Sequence, residues 1–160
     1  MKTLRLSVFG VPAHPVFNDV PGTLLTTASL CDAIYLWRGD ETWAWAGYRM
    51  LQIGNASGWL AAGLGILDLL RLPRQADVRR LGLAHGSATI SSLLIFAACQ
   101  RQRRRYPQSV RFGQAAALAV ANLVLNTGAA FGARLVHEHR VRTGEHERLP
   151  FGLHVEDVEW

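Results

Sequence analysis

Histidine and carboxylate are the side chains of this sequence best suited to chemistry, and they are unevenly placed. His14 and Asp19 stand before the first long apolar block, Asp68 closes the second, His85 opens the third, and His137 and His139 follow the fourth. Imidazole and carboxylate are the common ligands of transition metals, and neutral imidazole also ligates haem iron. A fold that returns the chain repeatedly to one place would bring these residues together. His137 and His139 are two apart, so on a helix they point roughly 200° away from each other, and only one can face inward. His14, His85 and His139 are the expected metal or haem ligands, with Asp68 as ligand or as the carboxylate that orients an imidazole. Asp19 and His137 are the alternatives. Against it stands the ordinary reading, in which each histidine is an interfacial or capping residue. His146 and His154 fall in a polar tail and are expected to be solvated.

Asp32 is a carboxylate inside an apolar block, where such a group is costly and usually paired. Counting along two antiparallel helices puts Arg49 at similar depth, so the sequence predicts an Asp32–Arg49 pair that fixes the first helix against the second. A proton site at Asp32 is the sharper alternative. Cys31 and Cys99 sit in different apolar blocks with no CxxC and no metal-ligand spacing, and they read as small apolar fillers. No HExxH, nucleophile elbow or phosphate loop is present. Nothing therefore marks a stand-alone enzyme, and a metal-dependent hydrolase has little support.

The elements that must position these residues are four apolar blocks. Residues 50–67, 81–100 and 112–133 carry no Asp, Glu, Lys or Arg, and 20–37 carries only Asp32. A bilayer-spanning helix needs ~20 largely apolar residues. The predicted helices are about 21–38, 43–70, 81–100 and 112–138, the first opened by Pro21, where a missing N–H does no harm. Trp43 and Trp45 at the start of the second suit a headgroup belt. Short connections force antiparallel neighbours, which gives an all-α, integral membrane, up-down-up-down four-helix bundle over residues 1–140 and a polar tail over 141–160. Gly54 and Gly58, Ala61 and Gly65, and Gly128 and Gly132 are four apart, the spacing that lets helices approach closely in lipid. Asn122 and Asn126 share a face and are expected to bond inward. A soluble bundle would carry Lys or Glu on its outer faces, and these helices carry Leu, Ile, Ala and Val.

The net charge of +5 comes almost wholly from arginine, with Lys2 as the one lysine. The sequence pI near 10.0 would suit nucleic acid, but the arginines lie between the apolar blocks, as in membrane proteins. No nucleic-acid partner is expected; the lipid bilayer is. Ten of the 17 cationic residues fall on the histidine face, which leans towards a cytoplasmic placement of that face. The compact Arg103-Arg104-Arg105 run on the other face argues the other way. The N-terminus is no convincing signal peptide, because 11–15 interrupt any apolar core.

Several short motifs carry a resemblance. They are His14-Pro15 before Pro21-Gly22; Asp32; Gly65-Ile66-Leu67-Asp68 before Pro73; Arg79-Arg80 followed by His85-Gly86; and Gly132 leading to Leu135-Val136-His137-Glu138-His139. In this order the chain resembles the bacterial membrane-protein family catalogued as domain of unknown function 2231, over about residues 11–140. It departs from the pattern at Val11, where the family commonly has a first histidine, and at Asp19, near the place of a further one. His137 stands in a tyrosine's place and Arg140 in a glycine's. The resemblance implies four membrane helices. By association with Rieske, cytochrome b5-like and c-type cytochrome modules, it also implies a redox setting. The expectation is a multi-pass protein of the bacterial inner membrane, redox-associated, binding haem b or a transition metal. The alternative is a cofactor-free accessory subunit packed against a larger respiratory or photosynthetic complex.

Overall fold

A two-residue turn decides how the first two helices meet. Gly39 adopts φ 71°, a left-handed conformation that glycine enters without a Cβ penalty, and it closes the preceding helix by donating its N–H to the Tyr35 carbonyl at 2.7 Å. Asp40 then accepts the Thr42 N–H at 2.9 Å and caps the next helix. The Thr42 N–H is also the main cause holding the Asp40 carboxyl below its ordinary range.

The computed structural model describes residues 7–8, 11–70 and 75–137, and the side chains within these except those of 7–18, 68, 136 and 137. Four helices make up nearly all of it: α1 (Ala13–Arg38), α2 (Glu41–Leu69), α3 (Ala76–Arg103) and α4 (Phe112–His137). Two strands of two residues, β1 (Ser7–Val8) and β2 (Val11–Pro12), pair antiparallel just before α1. The fold is all-α.

The helices outrun their apolar blocks. α1 begins at residue 13, and Pro15, in the first turn, takes the harmless position expected of Pro21. Pro21 is instead inside the helix and buried, a placement that neighbouring helices make tolerable in lipid. α3 gains polar turns at both ends. Asp77 lies in its first turn and Arg101 and Arg103 in its last, each on the side of the helix dipole that favours it. The connection expected over 101–111 therefore starts only after Arg103.

All four helices feed one core of Leu25, Ala28, Leu51, Leu93, Phe96, Cys99, Leu118 and Ala121. Glycines set the closest approaches. A Cβ on Gly54 would lie 3.0 Å from Leu24 Cβ, and one on Gly58 would lie 2.5 Å from Leu93 Cδ2. The contacts of α2 with α1 pass from Asp32 at Gly47 to Leu24 at Gly54 and Pro21 near Gly58, so the two helices run in opposite senses. Cys31 and Cys99 are buried free thiols, as fillers should be.

The outer surface is apolar. Leu30, Ile53, Leu60, Leu94, Val120 and Leu123 are all more than half exposed. Among the described residues two helices, Ala76–Arg103 and Phe112–Leu135, are long and apolar enough to cross a membrane by length and composition, with a mean window hydropathy of 1.5. Only 22% and 17% of those windows is buried, whereas the core helix of a soluble protein would be mostly buried.

Candidate functional site

His85 lies between two and three helical turns inside the start of α3, facing α4. Its Nδ1 is 2.7 Å from the Gly128 carbonyl. A carbonyl can only accept, so Nδ1 carries the proton and, in neutral imidazole, Nε2 carries the lone pair. Gly132 makes room for the ring: a Cβ there would lie 3.0 Å from Nδ1 and 3.1 Å from Cε1. The Gly128–Gly132 pair thus seats an imidazole between α3 and α4, as well as letting the helices approach. Backbone orientation of this kind is what fixes ligating imidazoles in metal sites.

The other residues expected beside it are only partly visible. His14, Asp68 and His137 belong to helices, but their side chains are outside those described, and His139 lies outside the described residues altogether. Asp19 is exposed. Among the described residues no three His, Cys, Asp or Glu side chains gather closely enough to hold a metal ion.

The strongest polar feature is at the opposite end. Asp32 is fully buried, and its partner is Arg103, with Nη1 donating to Oδ1 at 2.7 Å and to Oδ2 at 2.8 Å. Nη2 donates to the carbonyls of Ala44, at 2.6 Å, and Pro107, at 3.2 Å. The guanidinium also lies 5.6 Å from the centre of the Tyr48 ring. One arginine of α3 therefore ties down α1, α2 and the connection to α4. Both charged side chains are 0% exposed. A Cβ on Gly47 would come within 2.5 Å of Asp32 Oδ1, so α2 can pass the carboxylate only at a glycine.

The expected Asp32–Arg49 pair is thereby corrected. Arg49 is exposed, donates to Gln52 at 3.2 Å and packs 5.7 Å from the Trp45 ring centre. Its depth matches Asp32, but its direction does not. Tyr48, one residue earlier and ~100° round the helix, holds the inward face instead. Arg103 escaped the sequence reading because it sits within a run of arginines. The available signal was helical phase, since Ser92, Phe96, Cys99 and Arg103 follow one buried stripe of α3.

A third polar knot lies at mid-depth. Asn122 of α4 donates to Ser29 Oγ and to the Leu25 and Leu118 carbonyls, and accepts from Thr26 Oγ1 at 3.2 Å. It is the inward asparagine; Asn126 is exposed and bonds its own helix at the Asn122 carbonyl.

Over residues 10–145 the chain matches the family model described as predicted membrane protein, domain of unknown function 2231. The chain belongs to this family. Neither the curated proteins nor the solved structures compared contain a match. The family's description names a location and no reaction, so the chemistry has to be argued from the residues themselves.

Proposed function

We propose that the chain is a multi-pass integral protein of the bacterial inner membrane. It would be an up-down-up-down four-helix bundle that serves a redox system and binds haem b or a transition metal at its histidine end. The surface supports the first part: a shell of exposed Leu, Ile and Val around a core that hides its one described ion pair suits lipid, not water. The single observation behind the second is the His85 imidazole, whose tautomer is set by the Gly128 carbonyl. His14 and His139 are the further ligands of this reading, with Asp68 as ligand or orienting carboxylate and Asp19 or His137 as substitutes. A bound haem or metal would supply one-electron chemistry there. The chain's contribution would be to hold the imidazoles and shield them from water. An absorption spectrum and elemental analysis of the detergent-purified protein test this directly. The expected result is a Soret band or stoichiometric metal, either of them lost in His85→Ala. Colourless, metal-free protein would sink it.

A second reading, a cofactor-free accessory subunit of a larger membrane redox complex, is favoured by the breadth of the apolar surface, which a partner could cover as well as lipid. Co-purification from mildly solubilised membranes supports it, and a stable, coloured monomer counts against it.

A further inference from the structure

Between α2 and α3, towards the arginine end, lies an open cleft of about 540 Å³, lined among others by Tyr48, Gln52, Asn55, Gln100, Arg101 and Arg104. It is polar where the surrounding helix surfaces are not. Three of its features specify a ligand. Arg101 and Arg104 are exposed at its mouth, and among the described residues neither has a carboxylate partner. Both also line a neighbouring cleft of about 590 Å³ with Gln102 and Arg105, so the positive potential extends beyond the mouth. On the inner side Asn55 is 6% exposed; its Nδ2 donates to Gln100 Oε1 at 2.9 Å, while its Oδ1 accepts from no group among the described residues. A buried acceptor without a donor is an expected place for a bound polar group.

These demands combine. Guanidinium groups ask for an anion with several oxygens, for which phosphate is the best geometric match. The Asn55 carboxamide asks for a hydroxyl donor a short distance further in. We propose that this cleft binds the headgroup of an anionic phospholipid bearing a free hydroxyl, of the phosphatidylglycerol type. The phosphodiester meets Arg101 and Arg104, and a glycerol hydroxyl donates to Asn55. The acyl chains lie along the apolar outside of α2 and α3, where Ile53 and Leu94 are exposed. The site rests on the membrane reading above. It links a lipid to the core as well, because Tyr48 lines the cleft and also packs against the buried Arg103.

The full chain, purified in detergent and delipidated, is titrated with phosphatidylglycerol, phosphatidic acid and phosphatidylcholine, with bound lipid read by native mass spectrometry. Phosphatidylglycerol should bind at least about tenfold more tightly than phosphatidylcholine. The double variant Arg101→Gln/Arg104→Gln should lose about tenfold or more in that affinity. Arg79→Gln/Arg80→Gln, an equal charge loss at the other end of α3, should lose little. The hydroxyl donated to Asn55 should make phosphatidylglycerol bind more tightly than phosphatidic acid, and Asn55→Leu should erase that preference. Equal binding of the zwitterionic lipid overturns the proposal, as does undiminished binding by the Arg101/Arg104 variant or an equal loss in the Arg79/Arg80 variant. Glycerol phosphate binding as tightly as the lipid would assign the cleft to a soluble phosphate ester instead and overturn the lipid assignment. Alkaline carbonate extraction of the same membranes tests the membrane reading separately: that reading fails if the chain is released, and the site fails on the titration alone.

Discussion

At the scale of single residues, Asp32 and Arg103 dominate. Taking two charges out of water is expensive, and their attraction offsets that cost only with good geometry and satisfied hydrogen bonds. Here Nη1 reaches both carboxylate oxygens and Nη2 reaches two carbonyls, leaving Nε alone unpartnered. Removing one partner strands the other charge, so Asp32→Ala and Arg103→Ala should each cost ~3–5 kcal/mol in unfolding experiments in detergent. Arg103→Lys should recover little, because an ammonium cannot span the same acceptors as a planar fork. The double replacement Asp32→Leu/Arg103→Met should come back to near wild-type stability. Single variants as stable as the wild type would remove the pair from any structural role. The need for a partner at Asp32 was legible in the sequence, since a carboxylate in an apolar block demands one. Its identity was not, because depth along a helix can be counted from a turn whereas direction depends on where the helix ends. Had the 92–96–99 stripe been carried past the charge-free block, it would have reached Arg103.

Helices as elements end where capping and dipole chemistry place them, not where hydropathy falls. Asp77 and Arg101 extend α3 beyond its apolar block, and Pro15 rather than Pro21 stands at the permissive start of α1. Periodic hydrophobicity located all four helices but could not see these polar turns. The α1–α2 turn makes a pH-dependent prediction. Folding lowers the Asp40 pKa, so the cap contributes above the unfolded value, ~4 for an aspartate. That contribution fades as pH falls through the folded value. Wild type should therefore exceed Asp40→Ala in thermal stability near neutrality, and the gap should close in acid. Asp40→Asn, which keeps an acceptor, should show no such closing. Between α1 and α4, Asn122 does the work that apolar contact cannot do selectively in lipid. Asn122→Leu should cost ~1–2 kcal/mol in the same unfolding experiment, and Asn126→Leu, exposed, much less.

For the whole molecule, the property with the firmest physical handle is orientation. The turn after α1 and the connection after α3 lie at the arginine end; in the proposed bundle the starts of α1 and α3 and the ends of α2 and α4 lie at the histidine end. Cationic residues near the ends of membrane helices are retained on the cytoplasmic side. Counted by sequence alone, the compact arginine run competes with the histidine end. The fold changes that count, because Arg103 is neutralised by Asp32 in the core and offers no charge to the membrane surface. Arg38, Arg49, Arg101, Arg104, Arg105 and Arg111 remain exposed there. In the proposed bundle the histidine end carries Lys2, Arg5, Arg71, Arg74, Arg79, Arg80, Arg134, Arg140, Arg142 and Arg148. On this count the proposed bundle is expected to hold its histidine end in the cytoplasm. Cys31 and Cys99 are buried, so a single introduced cysteine reports its own position. Gln108→Cys should label with a membrane-impermeant maleimide in intact cells, and Gln75→Cys only after permeabilisation. The reverse pattern would place the arginine end inside. Labelling of both positions from one side would break the up-down-up-down arrangement itself, since α3 alone separates them.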